Sequence, residues 1–150
     1  LDPIQACVLE IKLRHLDSWH QARRTNAALY RRLFAEAGLA GEPVALPEAV
    51  FESADGSPEK NYHIYNQFVI RVSHRDALRD FLTDNGVGCE VYYPLCLHQQ
   101  ACLQPYGFSG QHFPEAERAA RESLALPIYP ELTNDQQEYV VATIARFFKS

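Results

Sequence analysis

Polar aromatic and imidazole side chains concentrate in two short runs of this 150-residue chain, Asn61-Tyr62-His63-Ile64-Tyr65 and Tyr92-Tyr93-Pro94-Leu95-Cys96-Leu97-His98. Tyrosine and histidine offer hydroxyl and imidazole groups at low entropic cost, which suits a polyhydroxylated ligand such as a sugar. Strand ends and the loops after them commonly line such sites. Tyr62 and Tyr92 also fit as core residues with satisfied hydroxyls.

Other chemistries find less support. Cys89, Cys96, His98 and Cys102 are all ligand types that zinc accepts. Their spacing contains no C-x-x-C knuckle, Cys89 alternates as an inward strand residue, and Cys7 and Cys102 sit where small apolar side chains fit, so structural cysteines and no metal are expected. A nucleophile needs a base and an orienting group beside it, and no G-x-S-x-G or similar signature is present. Most acidic residues lie on helix faces that look solvated, which leaves no paired carboxylates for acid–base work.

Composition bounds the remaining classes. The hydrophobic content of 47% and charged content of 22% are those of a single globular domain with a real core. A net charge of −5 offers no basic field for nucleic acid or an anionic membrane. No apolar run approaches the length that spans a bilayer, and no signal segment opens the chain. Four cysteines are too few and too irregular for a secreted disulfide framework, so reduced thiols and a cytoplasmic location are expected. The sequence opens at Leu1 and contains no methionine, which raises the expectation of a segment upstream.

The elements that must position the two runs can be read from periodicity and punctuation. Asp2-Pro3 opens a helix, and Ile4, Cys7, Val8, Ile11 and His15, then Leu16, Trp19, Ala22, Leu29, Leu33 and Phe34, carry a helical stripe toward Gly38, with a break foreseen at Asp17-Ser18. Arg23-Arg24 and Arg31-Arg32 fit a solvated face better than an anion site. Residues 39–60 read as a short strand and an exposed loop. Tyr62 to Val72 alternates as the best strand in the sequence. Ser73 to Asp76 resembles a capping box, Ala77, Leu78, Phe81 and Leu82 form a buried stripe, and Asn85-Gly86 stops that helix. Val87 to Tyr92 alternates as a second strand. Pro114 to Ser123 is a helix, Leu126 to Tyr129 is extended, and Thr133 to Gln136 is a second capping box opening a terminal helix lined by Val140, Val141, Ile144, Ala145 and Phe148. The pattern predicts an α+β fold, a small, mostly antiparallel sheet covered by helices.

Four segments give this sequence a resemblance to a known family. Leu1-Asp2-Pro3-Ile4-Gln5-Ala6-Cys7 is similar to a "RLDxIQAA" helix start, and Gly86-Val87-Gly88 through Tyr93-Pro94 and Leu97-His98 to a "GI/VG…(H/Y)YP.PLH.Q" run. Phe113 to Glu117 is similar to "FPxAE", and Ser123 to Thr133 to "LSLPxYPxLT". Together, in order and across the whole chain, they resemble the C-terminal half of the DegT/DnrJ/EryC1/StrS family, sugar aminotransferases of fold type I that depend on pyridoxal phosphate.

The resemblance implies a single domain over 1–150, with 1–38 a helical lead-in and 39–150 the α+β small domain of the fold type I transferases, and with the cofactor-binding N-terminal domain absent. It implies transfer of an amino group, usually from glutamate, to a ketone on a nucleotide-linked sugar, by a Schiff-base lysine and the pyridine ring. Lys12, Lys60 and Lys149 do not match the position of that lysine, so no catalytic residue is expected in this chain, pyridoxal phosphate is expected only in the complete enzyme, and the chain is expected to be inactive alone. Tyr92 and Tyr93 match the family's pair near the sugar, with Tyr92 where many members have histidine. His98 matches the "LH" position, and His63 and Tyr65 resemble an "H.Y" strand whose role is binding or structural. A homodimer is implied, with a nucleotide-linked sugar as ligand and a missing N-terminal half as a further partner. A free-standing sugar-nucleotide-binding or protein-interaction module, and one half of a split enzyme, are the alternatives.

Overall fold

A computed structural model describes residues 2–50, 63–108 and 110–149. Helix α1 (Pro3–Leu13) starts as its sequence predicts: the Asp2 carboxylate accepts the Ile4 N–H at 2.9 Å, and Pro3 fills the first turn, where its missing N–H costs nothing. Among the described residues its apolar stripe buries nothing. Every residue of α1 is exposed, Ile4 at 76%.

Helix α2 (Leu16–Glu36) follows after a break at Arg14-His15, three residues before the expected Asp17-Ser18. Asn26, Ala27, Tyr30 and Phe34 are its buried face, one step round from the predicted Leu29 and Leu33. Strand β1 (Phe68–Arg71) is shorter than the predicted run. Tyr65 takes a positive φ of 45°, which turns the backbone out of the extended region before Phe68; Tyr62 lies outside the described residues.

Helix α3 (Arg75–Asp84) forms without the predicted capping box. The Asp76 carboxylate accepts from Arg75 Nε at 2.7 Å instead of reaching back to Ser73, while Arg75 Nη1 donates to the Ser123 carbonyl at 2.8 Å and ties α3 to the sheet. Gly86, at φ 72°, supplies the left-handed stop. The predicted strand over 87–92 contracts to one antiparallel bridge between Glu90 and Ala125. Two 3-10 turns, Leu97–Gln99 and Ala101–Tyr106, carry the chain to α4 (Pro114–Glu122). Strand β2 (Ser123–Leu126) comes earlier than the predicted extended piece and stops before Pro127, which has no N–H to continue a ladder. At the start of α5 (Asn134–Lys149) the predicted capping box is complete: Gln136 Oε1 accepts the Thr133 N–H at 3.0 Å and Thr133 Oγ1 accepts the Gln136 N–H at 3.3 Å.

β1 and β2 pair antiparallel, Phe68 opposite Leu126 and Ile70 opposite Leu124, and single bridges from Ala45 to Arg71 and from Glu90 to Ala125 extend the sheet by one segment on each side. Strand alternation then divides the faces. Phe68, Ile70, Leu124 and Leu126 enter a core with Tyr30, Phe34, Leu78, Leu82 and Ile144, where the Tyr30 and Phe68 ring centres lie 5.0 Å apart. Helix α5 packs on both α2 and α3 over this core. Val69 and Ala125 turn toward α4, which leaves an open cleft between helix and sheet. The architecture is the expected α+β arrangement of helices over a small antiparallel sheet.

Candidate functional site

The cleft has a volume of about 320 Å³. Its floor is sheet, from Gln67, Val69 and Ala125; one wall is α4, where Ala116, Ala119 and Ala120 keep the helix surface low; the other is the segment Glu90 to Cys96. Small residues on the helix make the space, because any longer side chain at these positions would fill it. Tyr92 and Tyr93 both line the cleft, and Tyr93 is 81% exposed, so its ring stands at the rim with its hydroxyl free to meet a ligand. Tyr92 is likewise exposed and lies outside the core formed by this chain. Gln67, Glu90 and Ser123 add polar groups on a mostly apolar lining. Aromatic faces beside a few hydroxyl, amide and carboxylate groups suit a sugar ring, with apolar C–H faces to cover and hydroxyls to pair.

His98 lies behind this wall. Its Nε2 is 3.2 Å from Glu117 Oε1 on α4, and its ring tilts against Phe113 at 4.9 Å. The Glu117 carboxylate also accepts the Phe113 N–H at 2.9 Å, and His112 Nδ1 stands 3.8 Å from the same oxygen. These contacts hold the carboxyl below the usual carboxylate range: the Phe113 N–H contributes most, and the two imidazoles add to it. His98 faces an apolar hollow of about 460 Å³ bounded by Leu97, Leu103, Phe108, Phe113 and Ala116.

His63 and Tyr65 form a separate cluster that does not line the cleft. Their rings stack at 4.0 Å, and His63 Nδ1 accepts the Tyr65 N–H at 3.0 Å. Tyr65 is buried, and Arg31 on α2 donates to its hydroxyl at 3.2 Å and also to the Pro47 carbonyl. Burial, with the Arg31 charge beside it, lowers the His63 pKa. Arg31, read from the sequence as part of a solvated face, is an anchor for this turn.

The cysteines divide differently from expectation. Cys96 is buried and Cys89 half-buried, where burial pushes its thiol pKa up, but Cys7 and Cys102 are exposed and fill no core position. Among the described residues, no group of three or more histidine, cysteine, aspartate or glutamate side chains is placed to hold a metal ion.

Gln67, Glu90 and Glu117 carry no sequence signature of a site. Glu90 is recognisable only as the polar partner of Cys89 and Val91 in the alternation, and Glu117 only as the last residue of the Phe113 to Glu117 motif.

Comparisons with known proteins bear on the whole chain. The family model described as the DegT/DnrJ/EryC1/StrS aminotransferase family matches residues 1–145. A pleiotropic regulatory protein of Geobacillus stearothermophilus is 44% identical over 149 residues, which are 99% of this chain and 37% of that protein. A UDP-N-acetyl-3-dehydro-alpha-D-glucosamine 3-aminotransferase of Acidithiobacillus ferrooxidans is 33% identical over 97% of this chain and 36% of its own length. The crystal structure of S. venezuelae DesV in complex with a ketimine intermediate superposes with a TM-score of 0.80 at 32% identity, over 100% of this chain and 37% of that one. The chain thus spans little more than a third of the curated relatives it matches.

Proposed function

Since the chain belongs to the DegT/DnrJ/EryC1/StrS aminotransferase family, we propose that it is the sugar-facing C-terminal part of a pyridoxal-phosphate-dependent aminotransferase that acts on a nucleotide-linked keto sugar, with glutamate as amino donor. The observation that carries the reading is the cleft between α4 and the sheet, with Tyr92 and Tyr93 at its rim. In it Tyr93 covers one face of the sugar ring, the Tyr92 hydroxyl pairs with a sugar hydroxyl, and Gln67 from the floor and Glu90 from the wall orient the ring. The chain contributes binding and orientation, which lower the barrier by holding reactants in register.

The residues here do not fit the cofactor itself. A Schiff-base lysine needs a sheltered position beside the ring it holds, whereas Lys12 and Lys149 are exposed on α1 and α5, Lys60 lies outside the described residues, and the cleft lining contains no lysine. We therefore assign the cofactor to the length of the family enzyme that this chain does not span, and expect no transamination by the 150 residues alone. The domain division follows the same reading, with residues 1–38 as helical lead-in and 39–150 as small domain. His98, His63 and Tyr65 act behind the cleft, as supports. The exposed stripe of α1 supports self-association, as a dimer. Among the described residues no helix is long and apolar enough to cross a membrane, and we place the protein in the cytoplasm, with its four cysteines free.

A chimera tests the proposal. The preceding portion of the Acidithiobacillus aminotransferase is joined ahead of this chain and assayed for glutamate-dependent amination of nucleotide-linked keto sugars. Turnover by the chimera and none by the chain alone is the expected result. Borohydride reduction that fixes pyridoxal phosphate to Lys12, Lys60 or Lys149 of the chain would overturn the assignment.

A further inference from the structure

Most of the segment that carries Tyr92 and Tyr93 into the cleft and on to α4 lies outside α-helix and strand. Among the described residues of 92–113 it has two short 3-10 turns, and Leu97 and Tyr106 in them are largely exposed. Among the described residues, two features tie it to the rest of the fold. Cys96 is buried, while the bond from its N–H to Gln99 Oε1 at 3.3 Å closes the first 3-10 turn on itself. The second anchor is Glu117, one oxygen of which meets both His98 Nε2 at 3.2 Å and the Phe113 N–H at 2.9 Å. The His98 and Glu117 side chains are only 11% and 17% exposed, although they lie in a stretch of mostly exposed residues.

From this geometry we infer that Glu117 is the positioning residue of the Tyr92–Tyr93 wall, one carboxylate oxygen fastening both the first 3-10 turn and the end of the segment to α4. The inference rests on the reading of the cleft as a sugar site, and it gives the "LH" histidine a job other than touching substrate. Glu117 does not line the cleft; it acts through His98 and Phe113. A purely local alternative is that Glu117 only caps α4 through the Phe113 N–H. The two differ in where the damage falls. Loss of a cap frays α4, while loss of the fastening frees Leu97–Tyr106 and loosens the wall.

Amide hydrogen exchange on the intact chain separates them. Glu117→Ala is expected to speed exchange across Leu97–Tyr106 at least tenfold and to leave α5 unchanged. Glu117→Gln, which keeps an acceptor oxygen at the same reach, is expected to restore most of the protection. His98→Gln is expected to reproduce the release without touching α4 and carries the test if Glu117→Ala does not fold; Glu115→Ala, in the same first turn, is expected to change nothing in the segment. Faster exchange confined to α4, or no rescue by Glu117→Gln, would overturn the inference. Titration with a UDP-linked hexose reads the cleft separately: a flat response by the wild-type chain counts against the sugar reading, while the exchange pattern still decides the role of Glu117.

Discussion

Gln137 on α5 donates its side-chain amide to the backbone carbonyl of Asn26 on α2 at 2.8 Å, and both side chains are buried. Asn26 Nδ2 passes the connection on to the Tyr129 carbonyl, also at 2.8 Å. Polar side chains thus stitch α5, α2 and the exit of β2 through the core, and the Gln137 Oε1 oxygen is left buried without a partner among the described residues. Gln137→Ala removes one hydrogen bond and opens a void, and is expected to cost about 2–4 kcal/mol. Gln137→Leu removes the unpartnered oxygen as well and fills the space, so its cost is expected to stay within about 1 kcal/mol. Urea unfolding midpoints of the two variants check the contrast.

Tyr30 makes a similar tie, donating its hydroxyl to the Pro127 carbonyl at 3.0 Å. Burial, with Tyr129 nearby, pushes its pKa far above the ordinary value of 10.0. The folded state holds this proton more tightly than the unfolded chain, so the contribution is complete below pH 10.0 and is lost as pH rises beyond it. Tyr30→Phe is expected to lose about 1–2 kcal/mol at neutral pH. Above pH 10.0 the gap between wild type and variant should narrow, which denaturant titrations at stepped pH would measure.

Glu117 gives the opposite sign. Its folded pKa lies below the ordinary 4.5, so its contribution is present above that value and lost as pH falls through the folded pKa. The groups that face it are the Phe113 N–H, His98 from the first 3-10 turn and His112 from the approach to α4, while Arg118 on its own helix is paired with Glu115 at 2.7 Å. Between neutral pH and acid, wild type should lose more stability than Glu117→Gln, read from thermal melts across that range.

Tyr93 is too exposed to matter to folding. Tyr93→Ala is expected to leave the unfolding midpoint within about 0.5 kcal/mol of wild type and to weaken binding of nucleotide-linked sugars about tenfold, a loss of ~1.4 kcal/mol. Calorimetric titration of both chains checks it. Equal affinities would remove Tyr93 from the site.

The apolar stripe of α1 predicts association. Light scattering is expected to show a dimer or larger species, and Val8→Asp with Ile11→Asp to shift it toward monomer, because charge on an exposed apolar face opposes contact without disturbing a core that α1 does not enter. A monomeric wild type would count against the dimer.

Local chemistry was the readable part of this fold. The Asp2-Pro3 start, the Asn85-Gly86 stop, the Pro114 helix and the Thr133–Gln136 capping box depend on neighbours in sequence, and each stands where its residues put it. Extended segments fared worse. Val87, Cys89 and Val91 alternate as a strand should, but pairing needs a partner with free backbone groups, and among the described residues this stretch makes a single bridge, Glu90 to Ala125. Alternation over 62–72 gave no warning of the turn at Tyr65. In the cleft, Tyr92 and Tyr93 were visible as a pair of aromatics after an alternating run. The role of Glu117 was not, because it depends on His98 arriving from nineteen residues away. The inward turn of Tyr30 in place of Leu29 was equally hidden, since a hydroxyl goes inside only when a carbonyl such as that of Pro127 waits there.

Placing α5 over both α2 and α3 has a consequence for synthesis. The chain emerges from the ribosome in sequence order, and Val140, Val141 and Ile144, which close the core above Tyr30, Phe34, Leu78 and Leu82, are made after every residue they cover. β1 must likewise wait for β2, with α3 and α4 both intervening, so their four-residue ladder closes late. Until then the nascent chain carries uncovered aromatic and aliphatic side chains on α2 and α3, a state that chaperones recognise and that aggregation exploits. A stop codon ahead of α5 would make that transient state permanent.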